Sequence, residues 1–206
     1  MLFRSGDSAA GSLEVCRDVN CQAIFALRGK PMNCYGEKFE KIYTNEELTF
    51  LMQALGIEDS TDFLRYDKVV IATDADVDGL HIRNLLITFF LMFFEQIVLS
   101  GHLYVLETPL FRVQVPKQTP IYCYNEAERD AAARKLGKKA EITRFKGLGE
   151  ISPKEFGKFI GEEMRIQPVT LDNTKNIPEL LGFFMGNNTP KRREYIMTNL
   201  EVPKYE

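Results

Sequence analysis

One stretch of the sequence constrains the fold more than any other: a β-branched run, an acidic segment and a long apolar stretch in direct succession. Lys68–Thr73 (KVVIAT) predicts a strand, and a continuous apolar run of this kind is typical of a central parallel strand covered on both faces. An acidic segment at residues 74–79 follows at once, and a helix is predicted from about Gly79 to Phe94. This order predicts an α/β fold, a parallel sheet flanked by helices, in which ligands bind at the carboxyl ends of the strands.

Hydrophobic periodicity and capping residues predict the elements around this unit. The other predicted strands are Gln22–Leu27, Gly101–Leu106 and Glu141–Arg144, with a hairpin of Leu110–Val115 and Pro120–Tyr124 and an extended Met164–Leu171. The other predicted helices are Asn45–Leu55, Asn125–Leu136, 152–160, and two short ones near Pro178–Met185 and Pro190–Leu200. Gly6–Ser12 is predicted as a loop that enters a helix, and residues 31–43 as a loop.

A compositional break at Pro116–Pro120 divides the chain. We therefore expect a first domain of residues 1–115, and a smaller α+β region of residues 116–206.

The overall composition excludes few classes of function, but it indicates the cellular compartment in which the protein is expected. A net charge of −3 over 206 residues does not indicate a nucleic-acid binder, although binding depends on where charges cluster and not on their sum. The four cysteines form no C-x-x-C pair, which argues against zinc and for reduced thiols in a cytoplasmic protein. The start lacks a secretory signal, and the apolar run Leu85–Leu99 is too short to span a bilayer, so no membrane association is expected.

Three aspartates alternate directly after the predicted strand, at Asp74, Asp76 and Asp78. In an extended backbone, residues two apart point to the same side, so the three carboxylates are expected to converge. Carboxylates this close repel one another unless a cation holds them ionised, and oxygen ligands favour Mg²⁺ or Mn²⁺. Two alternatives remain open at this point: a solvated acidic turn, and an aspartate (Asp78) that only caps the helix. A calcium loop is disfavoured, because its twelfth position is Leu85 and not Glu.

His81 and Arg83 follow on the first turns of the predicted helix. Both side chains are long enough to contact a phosphate or a metal-bound water, although an exposed polar face explains them equally well from sequence alone.

Four motifs in a fixed order resemble one family. They are G-D-S-A-A-G-S at Gly6–Ser12, L-R-G-K-P-M-N at Leu27–Asn33, D-A-D-V-D-G-L-H-I-R at Asp74–Arg83 and R-F-K-G-L-G-E at Arg144–Glu150. Together they resemble the TOPRIM and C-terminal part of type IIA DNA topoisomerase B subunits. The spelling of the second motif favours the topoisomerase IV branch, with the gyrase branch next.

This resemblance implies roles for individual residues. It implies that Asp74 and Asp76 bind the catalytic magnesium, with Asp78 in support, and that Lys30 is part of the catalytic machinery. The residues that the resemblance places on DNA are Arg28, Lys30, Asn33, His81, Arg83 and Lys146. It further implies that the nucleophilic tyrosine belongs to a partner A subunit in a heterotetramer, and that ATP binds only in an N-terminal part absent from this sequence.

The chain departs from the family pattern in two ways. Ser5 stands where the family has a glutamate that binds metal and is proposed to act in acid–base chemistry, and the ATPase region that precedes it in the family is absent. We expect both departures to reflect a missing upstream part, a degenerate homologue being the alternative. Two other functions are weighed against a topoisomerase subunit: a non-catalytic module that binds DNA and the A subunit, and a nuclease-like TOPRIM protein.

Overall fold

The computed structural model describes residues 1–5, 13–161, 163–171 and 176–200. The strands are β1 (Leu2–Ser5), β2 (Ile24–Leu27), β3 (Val69–Ala72), β4 (Leu103–Glu107), β5 (Phe111–Gln114), β6 (Ile121–Cys123), β7 (Glu141–Arg144) and β8 (Arg165–Pro168). The helices are α1 (Phe39–Tyr43), α2 (Glu46–Leu55), α3 (Val77–Phe93), α4 (Glu95–Leu99), α5 (Glu126–Leu136), α6 (Pro153–Ile160), α7 (Ile177–Met185) and α8 (Thr189–Thr198). Short 3-10 helices lie at Thr61–Phe63 and Leu148–Glu150. The predicted Gly6–Ser12 loop falls outside the described residues.

The main sheet confirms the predicted α/β architecture. Its five strands run in the order β2-β1-β3-β4-β8, the first four parallel and β8 antiparallel to β4. All four residues of β3 are buried, as expected for a central strand. Val69 and Ile71 face one hydrophobic cluster with α2 and α3, whereas Val70 and Ala72 face a second cluster with α6. Both faces of the sheet are therefore covered.

The predicted long helix is present, but it starts earlier and is interrupted. It begins at Val77 rather than Gly79, and at Phe94 the backbone leaves helical geometry (φ −139°, ψ 42°) before α4 begins. The stretch predicted as a loop also contains a short helix, α1, whose Ile42 is buried. None of the helices in the described residues combines the length and apolar character that crossing a bilayer requires.

A second sheet of three strands, in the order β6-β5-β7, carries α5 through a small core that includes Phe111 and Ala132. The predicted hairpin is confirmed, since β5 and β6 pair in antiparallel register. This sheet joins β5, which precedes residue 115, to β6 and β7, which follow it, while the later β8 returns to the main sheet. The boundary between residues 1–115 and 116–206 stays a prediction.

A charged cluster fastens the second sheet to α6. Glu155 accepts hydrogen bonds from Tyr122 Oη (2.5 Å), Ser152 Oγ (2.6 Å) and Arg112 Nη1 (2.9 Å). Arg112 and Tyr122 are cross-strand partners on β5 and β6, and Ser152 and Glu155 form the capping box of α6. Burial alone would raise the pKa of Glu155, but these three hydrogen bonds outweigh it and lower that pKa from 4.5 to about 2.

This cluster predicts a pH dependence of stability. A carboxyl group whose pKa is lower in the folded state stabilises the fold above its unfolded pKa, and that contribution is lost as the pH falls. For Glu155 the loss spans pH 4.5 to about 2. Thermal melts of Glu155→Gln should show a loss of about 2 kcal/mol at pH 7, with a smaller difference from wild type near pH 2. A constant difference across this range would contradict the assignment.

Candidate functional site

Asp74 leaves the carboxyl end of β3 and is held by a distant part of the chain. It is half-buried, and its Oδ1 accepts a hydrogen bond from the backbone N–H of Leu148 at 2.7 Å. Leu148 belongs to the R-F-K-G-L-G-E motif, so the structure brings the third and fourth sequence motifs together at this carboxylate. The glycine before it, Gly147, lies so close that an added Cβ would be 3.3 Å from Asp74 Oδ1.

Asp76 is the N-cap of α3. Its Oδ1 accepts a hydrogen bond from the Gly79 N–H at 2.7 Å, and the residue is exposed. The turn is tight, because a Cβ at Gly79 would lie 2.0 Å from the carbonyl oxygen of Asp74. Glycine is therefore required where α3 starts against the backbone of Asp74.

The expectation that all three aspartates lie on one extended segment is wrong. Because the chain enters α3 at Val77, Asp78 sits in the first helical turn. Its carboxylate forms an ion pair with Lys30 Nζ at 2.7 Å, and this hydrogen bond holds the pKa of Asp78 below its ordinary value. Across the described part of the chain, no group of three or more His, Cys, Asp or Glu side chains is arranged to hold a metal ion. The helix-capping alternative is realised by Asp76 instead of Asp78.

The L-R-G-K-P-M-N segment follows β2 and reaches two parts of the site. Lys30 meets Asp78, as described above, and Asn33 Nδ2 donates to the carbonyl oxygen of Met185 at the end of α7 (2.8 Å). Arg28 is exposed, and its backbone N–H is bound by Glu47 Oε1 at 2.8 Å. The exposed positions of Arg28 and Lys30 leave both side chains accessible to an anionic partner.

His81 and Arg83 line two different cavities. His81 and Asn33 border a cavity of about 430 Å³ between α3 and the α7–α8 region. Arg83 borders another of about 420 Å³, together with Asp74 and Glu107. Within the described residues the Arg83 side chain has no acidic partner within ion-pair distance.

The cavity beside Asp74 includes residues that sequence reasoning missed. Arg165 of β8 lies over the ring of Tyr124 at 3.9 Å, and Glu107 ends β4. The position of Glu107 at the carboxyl end of a parallel strand is a signal that could have revealed it. Arg165 and Tyr124 carry no such signal, because Arg165 begins the antiparallel strand β8 and Tyr124 follows the antiparallel strand β6 of the other sheet.

Lys146 and Ser5 complete the predicted set. Lys146 is exposed, and its backbone N–H donates to Glu150 Oε2 at 2.9 Å, which closes the K-G-L-G-E loop. Ser5 is the last residue of β1. Because Arg4 pairs with Ala72, the last residue of β3, the backbone of Ser5 lies beside the segment that connects β3 to Asp74. The position where the family has a glutamate is thus next to the aspartate segment, while Gly6–Ser12 lies outside the described residues.

The donor set fits a hard divalent cation that retains several waters. Asp74 and Asp76 each hold one carboxylate oxygen on a backbone N–H, and in the described part of the chain the second oxygen of each has no hydrogen-bond donor. Magnesium is typically bound by one or two carboxylates with water and phosphate oxygens completing its shell. Asp74 and Asp76 match this number of carboxylate ligands.

Two protein families match this chain. The Toprim domain family matches residues 5–108, and the family described as DNA gyrase B subunit, carboxyl terminus, matches residues 137–197. The chain is 60% identical to the B subunit of DNA topoisomerase 4 from Borreliella burgdorferi over 97% of this chain and 34% of that protein. It is 37% identical to the DNA gyrase B subunit of Halalkalibacterium halodurans (97% of this chain, 32% of that protein) and 39% identical to that of Thermus thermophilus (93% and 32%).

The chain spans about a third of the length of these relatives (34%, 32% and 32%). The Toprim match covers half of the chain and ends just after β4, and it includes β3, the aspartate segment and α3. The chain therefore belongs to the Toprim domain family.

Proposed function

We propose that this chain is the metal- and DNA-binding portion of a type II DNA topoisomerase B subunit. The observation that carries the proposal is the meeting of three motifs at one end of the main sheet: Lys30 contacts Asp78, and Leu148 contacts Asp74. The 60% identity to the B subunit of a topoisomerase 4 supports the proposal. The activity of this chain alone is expected to be weak or absent.

In this proposal Asp74 and Asp76 hold Mg²⁺, with Mn²⁺ as a substitute, and Asp78 supports them. A bound magnesium ion would act as a Lewis acid on a DNA phosphate. The chain's own contribution is to orient both carboxylates through the N–H groups of Leu148 and Gly79. Arg28, Lys30 and Lys146 neutralise backbone phosphates, which gives affinity without sequence readout.

The remaining chemistry comes from partners. We propose that the tyrosine which attacks the phosphodiester belongs to an A subunit, that the complete enzyme is a heterotetramer acting on double-stranded DNA in the cytoplasm, and that ATP binds to a part of the larger protein outside this sequence. None of the eight tyrosines in the chain is assigned as the nucleophile.

One observation favours a second function, a non-catalytic module that binds DNA and the A subunit. Ser5 replaces the family's glutamate, and the described residues contain no cluster of three metal-binding side chains. Titration of Mg²⁺ into wild type, Asp74→Ala and Asp76→Ala separates the two functions. Equal, weak binding by all three proteins would favour the module.

DNA binding should depend on Lys30 and much less on a matched lysine. Both Lys30 and Lys68 pair with an aspartate at 2.7 Å, and their side chains are 46% and 50% exposed. Lys68, however, precedes β3 at the opposite end of the sheet. Removing one phosphate contact should reduce the slope of log K against log salt by about 1 and weaken binding evenly across DNA sequences.

Filter binding or fluorescence anisotropy across a salt series measures this slope. Lys30→Gln should show the reduced slope, and Lys68→Gln should match wild type. Identical slopes for all three proteins would show that Lys30 does not contact a DNA phosphate.

A further inference from the structure

The loop of residues 146–150 has no assigned part in the chemistry beyond the phosphate contact proposed for Lys146. We infer that this loop is the positioning element of the metal site: it fixes the Asp74 carboxylate so that one oxygen remains directed to the metal, and Gly147 and Glu150 are the positioning residues. The inference rests on the proposed function, because it assigns a role to residues around the same metal site.

The loop of residues 146–150 is in direct contact with the Asp74 carboxylate. The hydrogen bond from Leu148 N–H to Oδ1 joins residues 74 positions apart at 2.7 Å. A Cβ at Gly147 would stand 3.3, 3.4 and 3.6 Å from Oδ1, Cγ and Oδ2 of Asp74. The carboxylate therefore lies directly against the loop backbone, where any side chain beyond glycine would press on it.

The loop is also held by hydrogen bonds and by burial of its own. The Lys146 N–H is bound by the Glu150 carboxylate, and the Phe145 N–H by the carbonyl oxygen of Leu110 (2.9 Å each). Leu148 is 1% exposed and shares a hydrophobic cluster with Ala72, the last residue of β3. The residue that donates to Asp74 thus packs in the same hydrophobic cluster as the strand that leads to Asp74.

The two carboxylates differ in how they are oriented. Asp76 is held by its own helix through Gly79, whereas Asp74 depends on a loop from the C-terminal half. Partners of this kind, which hydrogen-bond a metal ligand without touching the metal, set ligand orientation and affinity. The C-terminal half therefore contributes to the metal site without supplying a ligand.

Mn²⁺ titration of the full 206-residue chain, followed by electron paramagnetic resonance, tests the inference. Gly147 has extended backbone angles (φ −145°, ψ 162°) that any residue adopts, so a larger side chain there causes no backbone strain, and the atoms nearest to its Cβ are those of the Asp74 carboxylate. Gly147→Val and Glu150→Ala should each weaken Mn²⁺ binding by about 10-fold, with Gly147→Ala in between. Glu150→Gln should retain near-normal affinity, because its amide oxygen still accepts from Lys146.

Glu141 is an exposed glutamate on β7, and Glu141→Ala therefore controls for the loss of one negative charge. Thermal melts test whether each variant is folded. If Asp74→Ala loses Mn²⁺ while Gly147→Val and Glu150→Ala bind as wild type, the positioning role is overturned and the metal site stands. If wild type and Asp74→Ala bind alike, the proposed metal site fails, and the positioning role fails with it. If Glu150→Gln is as weak as Glu150→Ala, charge and not positioning explains Glu150.

Discussion

Asp74→Asn is expected to reduce Mg²⁺-dependent cleavage of double-stranded DNA by about 1000-fold when the chain is combined with a topoisomerase A subunit. The metal's stabilisation of developing charge is worth several kcal/mol, and each 1.4 kcal/mol corresponds to about tenfold in rate. Asparagine retains an oxygen that accepts from Leu148 N–H, so the loop contact survives and only the charge is removed.

The matched control is Asp67→Asn. Asp67 also pairs with a lysine, Lys68, but it lies before β3 and 78% of its side chain is exposed. Cleavage by this variant should equal wild type. Full cleavage by Asp74→Asn would exclude Asp74 as a metal ligand.

The substitution of Ser5 by glutamate is expected to increase DNA cleavage. Ser5→Glu should raise Mg²⁺-dependent cleavage by about 100-fold, the typical effect of one charge-stabilising group at a reacting centre. The structural basis is the parallel pairing of β1 with β3, which sets the end of β1 beside the segment that leads to Asp74. A carboxylate at this position would add a third acidic ligand to a site in which Asp78 is engaged by Lys30.

Two controls isolate charge and position. Ser5→Gln matches the size of glutamate without its charge, and Ser100→Glu adds the same charge at an exposed turn before β4. Neither should raise cleavage. Unchanged cleavage by Ser5→Glu would mean that Ser5 does not adjoin the metal.

Local patterns predicted most of the fold. The strand β3 follows from a β-branched run, and α2, α5 and α6 follow from capping residues that make the expected hydrogen bonds (Asn45, Asn125, Ser152). These signals are carried within a few residues of the chain, so sequence reasoning reaches them. The membership of β8 in the main sheet was not predicted, because its mostly exposed residues give no strong apolar pattern.

Spacing in the sequence draws attention to the aspartates of the candidate site, but it predicts their geometry only in part. The spacing of Asp74 and Asp76 identifies both residues in the sequence. The direction of the Asp78 side chain, however, depends on which aspartate caps α3. Because Asp76 is the cap, Asp78 lies in the first turn of the helix. The hydrogen bond between Asp74 and Leu148 is non-local, and a spacing argument cannot supply it. The sequence motifs identify the segments that contain Asp74 and Leu148, but only the folded structure shows that the two segments are in contact.

We propose that the chain supplies a metal site for a nucleophile on another subunit. The most direct test mixes wild type or Ser5→Glu with a topoisomerase IV A subunit, supercoiled DNA and Mg²⁺, and traps covalent protein–DNA adducts with detergent. We expect adducts on the A subunit that require Mg²⁺ and this chain, are stronger with Ser5→Glu, and are absent with either protein alone. DNA cleavage by this chain without the A subunit, or adduct formation that is the same with and without this chain, would contradict it.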